Sequence, residues 1–138
     1  MERRTDVRKS RKHEPVVGDG FPNPIGPYSP AVRFGDLLFV SGQGATVPGT
    51  GELVGLDVET QTEQVFKNLT TILEAAGSSL DHVLRCGVFL ADMRDFPRMN
   101  AVYERMMAGN KAARTTVQVA GLPMNGLLVE IDAIAYVP

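Results

Sequence analysis

The sequence is poor in the residue types that build many active sites. It has one cysteine, two histidines and no tryptophan among 138 residues. A single cysteine, Cys86, excludes an internal disulfide and is typical of a reducing compartment. Neither His13 nor His82 has metal-ligand spacing, and no nucleophile motif lies near either. These absences argue against a metal centre and against a Ser-His-Asp or Cys-His apparatus.

Long apolar runs are also missing. No stretch approaches the roughly 20 continuous apolar residues of a transmembrane helix, and the N-terminus is too polar for a signal peptide. Together with the cysteine count, this predicts a cytoplasmic protein. No P-loop or Rossmann glycine pattern is present, since Gly42-Gln43-Gly44 alone is too weak a signal. The length, with 43% hydrophobic and 22% charged residues, suits one globular domain.

Charge is distributed unevenly along the chain. Residues 1–13 hold six basic and two acidic side chains, which leaves 8 basic and 14 acidic residues elsewhere, a net charge of about −6. An acidic body repels nucleic acid, whereas a basic tail attracts it weakly. We therefore divide the chain into a basic N-terminal extension, residues 1–20, and one domain, residues 21–138. The extension is interpreted as a solvated tail.

Residue patterns predict an α+β domain. Residues 14–30, rich in Pro and Gly, predict an extended leading segment without regular hydrogen bonding. The following elements are a hairpin with strands 31–34 and 37–41 around Gly35-Asp36, a short strand 52–54, a helix from Asp57 to Gly77, a strand 82–90, a helix capped by Asp95, and strands 114–120 and 127–137. This order predicts a mixed sheet of five to six strands with two helices on one face. The other face needs cover, which predicts a homo-oligomer.

The last two strands carry the informative polar pattern. Alternation places Arg114, Thr116 and Gln118 on one face of the first strand, and Glu130 and Asp132 on one face of the second. We expect all five side chains to project from the sheet face opposite the helices. Buried charge there needs partners. Two explanations stay open at this point, namely ion pairs between subunits and a functional cleft between subunits.

Six short motifs then occur in order along residues 22–137. They are IGPYS at 25–29, VSGQ at 40–43, GELV at 51–54, MNAVY at 99–103, ARTTV at 113–117 and VEIDAIA at 129–135. Through them the chain resembles the RidA (reactive intermediate deaminase) family of imine/enamine deaminases. The resemblance implies a chorismate-mutase-like domain, assembled as a homotrimer with active clefts between subunits.

The resemblance also implies roles for particular residues. Arg114 and Glu130 would be catalytic, with Arg114 holding the substrate carboxylate and Glu130 positioning and activating the attacking water. The implied substrate-binding residues are Tyr28, Ser41, Gly42, Asn100 and Thr116. The implied reaction converts a reactive 2-imino or 2-enamino acid to a 2-keto acid and ammonia, with no metal or organic cofactor. The expected partners are the substrate and other copies of the chain, with neither membrane nor nucleic acid.

The chain departs from the family pattern at several positions. Pro30, Ala112 and Met107 replace commoner residues, and Thr116 stands where many relatives have cysteine. Pro30 and Met107 suggest a pocket reshaped for a larger substrate, for instance an enamine such as 2-aminomuconate. A ribonuclease or translation inhibitor and a non-catalytic ligand-binding module remain as alternatives.

The spacing of the two catalytic candidates predicts a shared site. If Gln118 paired with Glu130, Arg114 would lie about 13 Å further along its strand. We therefore expect at least Tyr28 or Asn100 to reach the site from a different subunit than Arg114.

Overall fold

A computed structural model describes residues 12–138, and these form a six-stranded mixed sheet with two helices on one face. The α+β prediction is confirmed. The strands are β1 (Glu14–Pro15), β2 (Ala31–Phe34), β3 (Leu37–Gln43), β4 (Val83–Leu90), β5 (Ala113–Gln118) and β6 (Val129–Tyr136), and the helices are α1 (Val58–Ala75) and α2 (Phe96–Met107). The strand order is β1-β2-β3-β6-β4-β5, in which only β4 and β5 run parallel.

Both helices begin where their local sequence predicts, and the first also ends there. Asp57 caps α1 by accepting a hydrogen bond from the Thr60 amide, at 2.8 Å. Gly77 follows the helix with a φ of 82°, a conformation that favours glycine. Asp95 occupies the cap position of α2 but makes no capping hydrogen bond through its side chain. Neither helix in the described part of the chain is long and apolar enough to cross a bilayer.

The core lies between the helices and one face of the sheet. The α1 residues Phe66, Leu69 and Ile72 are fully buried against strands β3 and β6. The Phe66 and Tyr103 rings meet edge to face at a centroid distance of 5.3 Å, and this contact joins α1 to α2. One face of the sheet is therefore buried by the helices, and the other, called the open face below, is not covered by them.

The open face is partly apolar and carries no helix. Its exposed large side chains include Phe39, which is 42% exposed, together with Leu37, Val117 and Tyr136. Leu37 lies opposite Tyr136 and Phe39 opposite Ile134 across the β3–β6 pairing, and apolar side chains exposed side by side are typical of an association surface. The sheet face that the element count leaves without a helix is therefore exposed in this chain, as the sequence predicts.

The prediction that the last two strands pair with each other is wrong. Strand β5 pairs with β4, and β4 separates it from β6. A β-α-β crossover through α2 places β5 parallel to β4, so the Gln118–Glu130 pairing assumed from the sequence does not exist. Thr116 and Ile131 both lie beside Val88, on the helix face.

The expected face of three polar residues is consequently wrong as well. Arg114, Thr116 and Gln118 project toward the helices, whereas Glu130 and Asp132 project from the open face. Alternation separates the two faces of a strand but does not say which one meets the helices. On β5 it is Val117 that points to the open side.

The leading segment and the loop after β3 differ in detail from expectation. Glu14 and Pro15 pair with β2, so regular hydrogen bonding begins earlier than predicted, and Val16 is buried. The short strand expected at 52–54 is reduced to one bridge between Thr46 and Leu53. Residues 1–11 of the predicted basic extension lie outside the described residues.

Candidate active site

Arg114 is held by neutral groups only. It lies near the start of β5, partly buried beneath α2, where its Nη1 donates to Asn100 Oδ1 at 2.8 Å. Its guanidinium carbon lies 4.7 Å from the centroid of the Tyr103 ring and 5.4 Å from that of Phe96. Among residues 12–138, no carboxylate oxygen approaches Arg114 within 4 Å. The site therefore presents an oriented, uncompensated cation.

Thr116 follows Arg114 on the same face of β5. Its Oγ1 is buried and has no hydrogen-bond partner within the described range, and the same is true of the Tyr103 hydroxyl. Burial, followed by the adjoining Cys86 thiol, raises the pKa of Tyr103. Burial also raises the pKa of Cys86, which agrees with an inert thiol.

Glu130 lies on the opposite face of the sheet, beside an irregularity in β3. The β3–β6 register shifts between Val40 and Gln43, so that Ser41 and Gly42 lie in a bulge. A Cβ on Gly42 would lie 2.7 Å from Glu130 Oε2, which is why only glycine lets the carboxylate approach the strand so closely. The bulge and the glycine together position this carboxylate.

The Glu130 carboxylate has an unusual environment. Burial raises its pKa above the ordinary glutamate value, and the neighbouring charge of Asp132 raises it further. Within the described chain neither a cation nor a hydrogen-bond donor pairs with Glu130. Asp132, in contrast, accepts a hydrogen bond from the Gly87 amide at 2.8 Å. Of these two carboxylates, Glu130 is therefore the one without a partner in the described chain.

Ser41 ties the leading segment to the bulge. Its amide donates to Pro30 O at 2.9 Å and its hydroxyl to Ser29 O at 2.7 Å. These bonds hold Tyr28 at the mouth of a cleft that also contains Gly42 and Glu130. The Tyr28 hydroxyl accepts a hydrogen bond from the Ile25 amide at 3.3 Å. Three of the seven predicted residues therefore line one cleft, with Ser41 directly behind it.

The predicted residues form two groups that do not meet within one chain. Arg114, Asn100 and Thr116 form the group beneath α2, while the group at the cleft contains Tyr28, Ser41, Gly42 and Glu130. Arg114 and Ala133 both pair with Cys86 of β4, so Arg114 lies level with Ala133 and two strands away from it. Glu130 lies three residues from Ala133 along β6, which places the Cα atoms of Arg114 and Glu130 about 14 Å apart. Their side chains also leave opposite faces of the sheet.

Two residues of α1 that shape the cleft were not predicted from the sequence. Gln61 and Asn68 are fully buried on α1, and both hydrogen-bond to the loops that form the cleft walls. Helical periodicity marks apolar positions, so polar residues inside the stripe were not predicted. Their position within an otherwise apolar stripe is the signal that identifies such residues.

The described residues contain no group of three His, Cys, Asp or Glu side chains close enough to hold a metal ion.

The structure also shows where two of the departures from the family pattern lie. Met107 is buried in the core at 2% exposure, whereas Pro30 lines the cleft.

Comparisons with known proteins agree with this fold. Residues 20–137 match the family described as endoribonuclease L-PSP. A RutC family protein of Pyrococcus horikoshii is 47% identical over 123 residues, which is 89% of this chain and 97% of the relative. Reactive Intermediate Deaminase A, chloroplastic, of Arabidopsis thaliana is 41% identical over 91% of this chain and 67% of its own length. The crystal structure of E. coli TdcF with bound serine superposes with a TM-score of 0.82 at 36% identity, covering 89% of this chain and 98% of that chain.

The sheet, its two helices and its open apolar face define a small α+β domain of the L-PSP type. The chain belongs to the Rid (reactive intermediate deaminase) family, also described as endoribonuclease L-PSP.

Proposed function

We propose that this protein hydrolyses reactive 2-imino and 2-enamino acids to 2-keto acids and ammonia. The observation that carries the proposal is the environment of Arg114, a partly buried guanidinium held by an amide and two aromatic rings without an acidic partner in the described chain. An oriented guanidinium fork of this kind binds a planar carboxylate through charge-assisted hydrogen bonds. The named deaminase relative supports the same reaction class.

Glu130 is the group proposed to handle protons. Its raised pKa brings it nearer to neutral pH, where a carboxylate is an effective general base and its acid an effective proton donor. The absence of a cationic or donor partner in the described chain leaves both oxygens available to a water molecule. Tyr28 and the bulge at Ser41 and Gly42 border the position where that water and the substrate would lie.

The proposed reaction is balanced by one water molecule. Arg114 binds the carboxylate, and Glu130 accepts a proton from water as the water oxygen forms a bond to C2. The C=N π electrons move to nitrogen, which takes the proton that Glu130 accepted, so a tetrahedral carbinolamine forms. Its hydroxyl proton passes through Glu130 to the amino nitrogen as the C2 carbonyl forms, and the C–N bond breaks to release ammonia. A 2-enamino acid follows the same path after a proton moves from its nitrogen to C3 to give the imine. Orientation of the two reactants supplies most of the rate increase in this scheme.

The working site is proposed to lie between subunits. Arg114 and Glu130 of one chain leave opposite faces of the sheet about 14 Å apart, too far for one small imino acid. The open apolar face offers the surface on which another copy would dock. Because Asn100 lies beside Arg114 in the same chain, Tyr28 is the residue expected from the other subunit. A homotrimer is the assembly proposed.

An imine-trapping assay tests the function. An amino-acid oxidase generates the imine, and semicarbazide traps what has not been hydrolysed. The wild-type protein is expected to lower the semicarbazone signal, and Arg114→Ala to reduce kcat/KM by roughly 10- to 150-fold, the loss of about 1.5–3 kcal/mol of charge-assisted hydrogen bonding. Arg105→Ala is the matched control, because Arg105 is exposed on α2 and pairs with Glu63 at 3.3 Å. Equal activity in Arg114→Ala and wild type would refute the proposal.

The same proteins separate the alternatives. Cleavage of RNA by nuclease-free preparations, lost on deletion of residues 1–20, would favour the ribonuclease reading. Binding of keto acids without acceleration of imine loss would favour a ligand-binding module.

A further inference from the structure

One stripe of side chains on α2 lies over Arg114. Phe96, Asn100 and Tyr103 follow the spacing i, i+4 and i+7, so they leave the same side of the helix. Asn100 Oδ1 accepts a hydrogen bond from Arg114 Nη1 at 2.8 Å, and the guanidinium carbon lies 4.7 Å from the centroid of the Tyr103 ring. The centroid of the Phe96 ring is further away, at 5.4 Å. The whole stripe therefore contacts a single cation.

The two rings differ in how firmly the core holds them. Tyr103 is buried at 8% exposure, whereas Phe96, at the start of the helix, is only partly buried. The Tyr103 ring also meets the Phe66 ring edge to face, with centroids 5.3 Å apart and an interplanar angle of 80°. Phe66 is itself completely buried on α1. Tyr103 therefore offers the guanidinium a ring surface that both helices hold in place.

A ring holds a guanidinium without competing with a ligand. A carboxylate partner would neutralise the charge and occupy the N–H donors that a substrate carboxylate needs. The face of an aromatic ring attracts the cation through its quadrupole and accepts none of the ordinary N–H···O bonds. Of the five N–H donors in the planar fork, one is taken by Asn100 among the described residues. The other donors stay available to a substrate.

The hydroxyl of Tyr103 takes no part in this contact. It is buried and has no hydrogen-bond partner among residues 12–138, and it adjoins the Cys86 thiol. The part of Tyr103 that lies against Arg114 is the ring. A phenylalanine at this position would keep that contact, whereas an aliphatic side chain would remove it.

We propose that Tyr103 is a positioning residue for the reaction, whose ring holds the Arg114 guanidinium in the orientation that binds the substrate carboxylate. The proposal rests on the deaminase function proposed above. The carboxylate takes no part in the bonds that form and break, so it is bound about equally in the ground state and the transition state. Loss of its oriented partner is therefore expected to raise KM and to leave kcat nearly unchanged.

Three variants test the proposal in the imine-trapping assay. Tyr103→Leu removes the ring, and we expect KM to rise roughly 5- to 30-fold, the loss of one partly desolvated cation–π contact, while kcat changes less than about twofold. Tyr103→Phe keeps the ring and is expected to hold KM within about twofold of wild type. Leu69→Ala is the matched control for stability, because Leu69 is buried on α1 at 1% exposure, against strands β3 and β6. It should lower the free energy of unfolding in urea without raising KM.

Several kinetic results would overturn the proposal. One is a KM that Tyr103→Leu leaves unchanged, and another is a fall in kcat alone. An equal rise of KM in Tyr103→Phe would assign the effect to the hydroxyl. An equal rise in Leu69→Ala would assign it to general loosening of the core.

Nuclear magnetic resonance separates this inference from the function on which it rests. The ring current of Tyr103 shifts the side-chain N–H protons of Arg114 upfield, and Arg114→Ala identifies their signals. We expect the shift in the wild type and in Tyr103→Phe, and a large reduction of it in Tyr103→Leu. The same signal position in all three proteins would overturn the positioning role and leave the deaminase function standing. The expected shifts without any imine hydrolysis would refute the function and leave the orientation of Arg114 by Tyr103 standing.

Discussion

At the residue scale, two charged side chains of the proposed site have no oppositely charged partner among residues 12–138. Arg114 lies among neutral partners, and Glu130 lies partly buried beside a second carboxylate. Ordinary structural ion pairs would bring such groups together, yet the fold keeps them on opposite faces of the sheet. Charged groups without an oppositely charged partner are typical of sites at which another molecule supplies that partner. Arg114 on the helix side and Glu130 on the open face are each available to a ligand or to another copy of the chain.

The pKa of Glu130 leads to a prediction about stability and activity together. Because its folded pKa is raised, the folded state holds the proton more tightly than the unfolded state. Its contribution to stability is thus present below the unfolded pKa and is lost as pH rises through the folded pKa. Glu130→Gln removes the buried charge, so we expect a higher Tm at pH 7 and a kcat/KM lower by roughly 100-fold or more.

Thermal melts from pH 4 to 8 check this expectation, with Glu104→Gln on the exposed side of α2 as control. The Tm advantage of Glu130→Gln should vanish at the acidic end of the range. A variant that is both less stable than wild type at pH 7 and fully active would contradict the assignment.

At the scale of elements, α1 does more than cover the sheet. Its apolar stripe packs on the strands, while Gln61 and Asn68 reach through that stripe to hold two loops. The β3 bulge likewise brings Gly42 against the Glu130 carboxylate, and α2 places Asn100 beside Arg114. Local sequence predicts both helices and most strands, but the hydrogen bonds between elements decide where the loops lie.

Gln61→Ala tests this anchoring. The substitution removes the part-buried hydrogen bonds to Gly55 O, Gly126 O and the Leu128 amide, each of which contributes roughly 0.5–1.5 kcal/mol. We expect the free energy of unfolding to fall by roughly 2–4 kcal/mol in urea titrations, with faster hydrogen exchange in the loop before β6. Glu74→Ala, at an exposed position of the same helix, should change it by less than about 0.5 kcal/mol. A similar effect of both variants would argue against the anchoring role.

The whole molecule is asymmetric about its sheet. One face is buried by helices, while the other exposes Leu37, Phe39, Val117 and Tyr136 with Glu130 nearby. An isolated chain therefore leaves apolar surface in water and half of the proposed site without its partner. Association of copies through the open face would resolve both problems at once.

Mixed oligomers test the shared site. Co-refolded Arg114→Ala and Glu130→Gln chains are expected to be more active than either variant alone, because some interfaces combine an intact Arg114 with an intact Glu130 from the neighbour. Random pairing in equal amounts restores about a quarter of the wild-type sites. Sedimentation confirms the oligomeric state, and mixing without refolding is the control. No recovery in mixed oligomers would place the site within one chain.

The sequence alone, through its periodicity and its turn residues, determined much of the secondary structure of this protein. The hairpin at Gly35-Asp36, the bounds of α1, the helix count and the polar character of Arg114 and Glu130 all follow from neighbours close in the chain. The motif series likewise identified the family that the comparisons show. These features depend on local conformational preference, which a few adjacent residues encode.

Tertiary structure alone decided which strands are neighbours and which face each side chain takes. The insertion of β4 between β5 and β6 separated Arg114 from Glu130, and the β3 bulge brought Gly42 against the carboxylate. The buried amides of α1 fixed the cleft behind it. Such pairings depend on contacts between residues far apart in sequence, and the period of two along a strand is the same whichever face is buried.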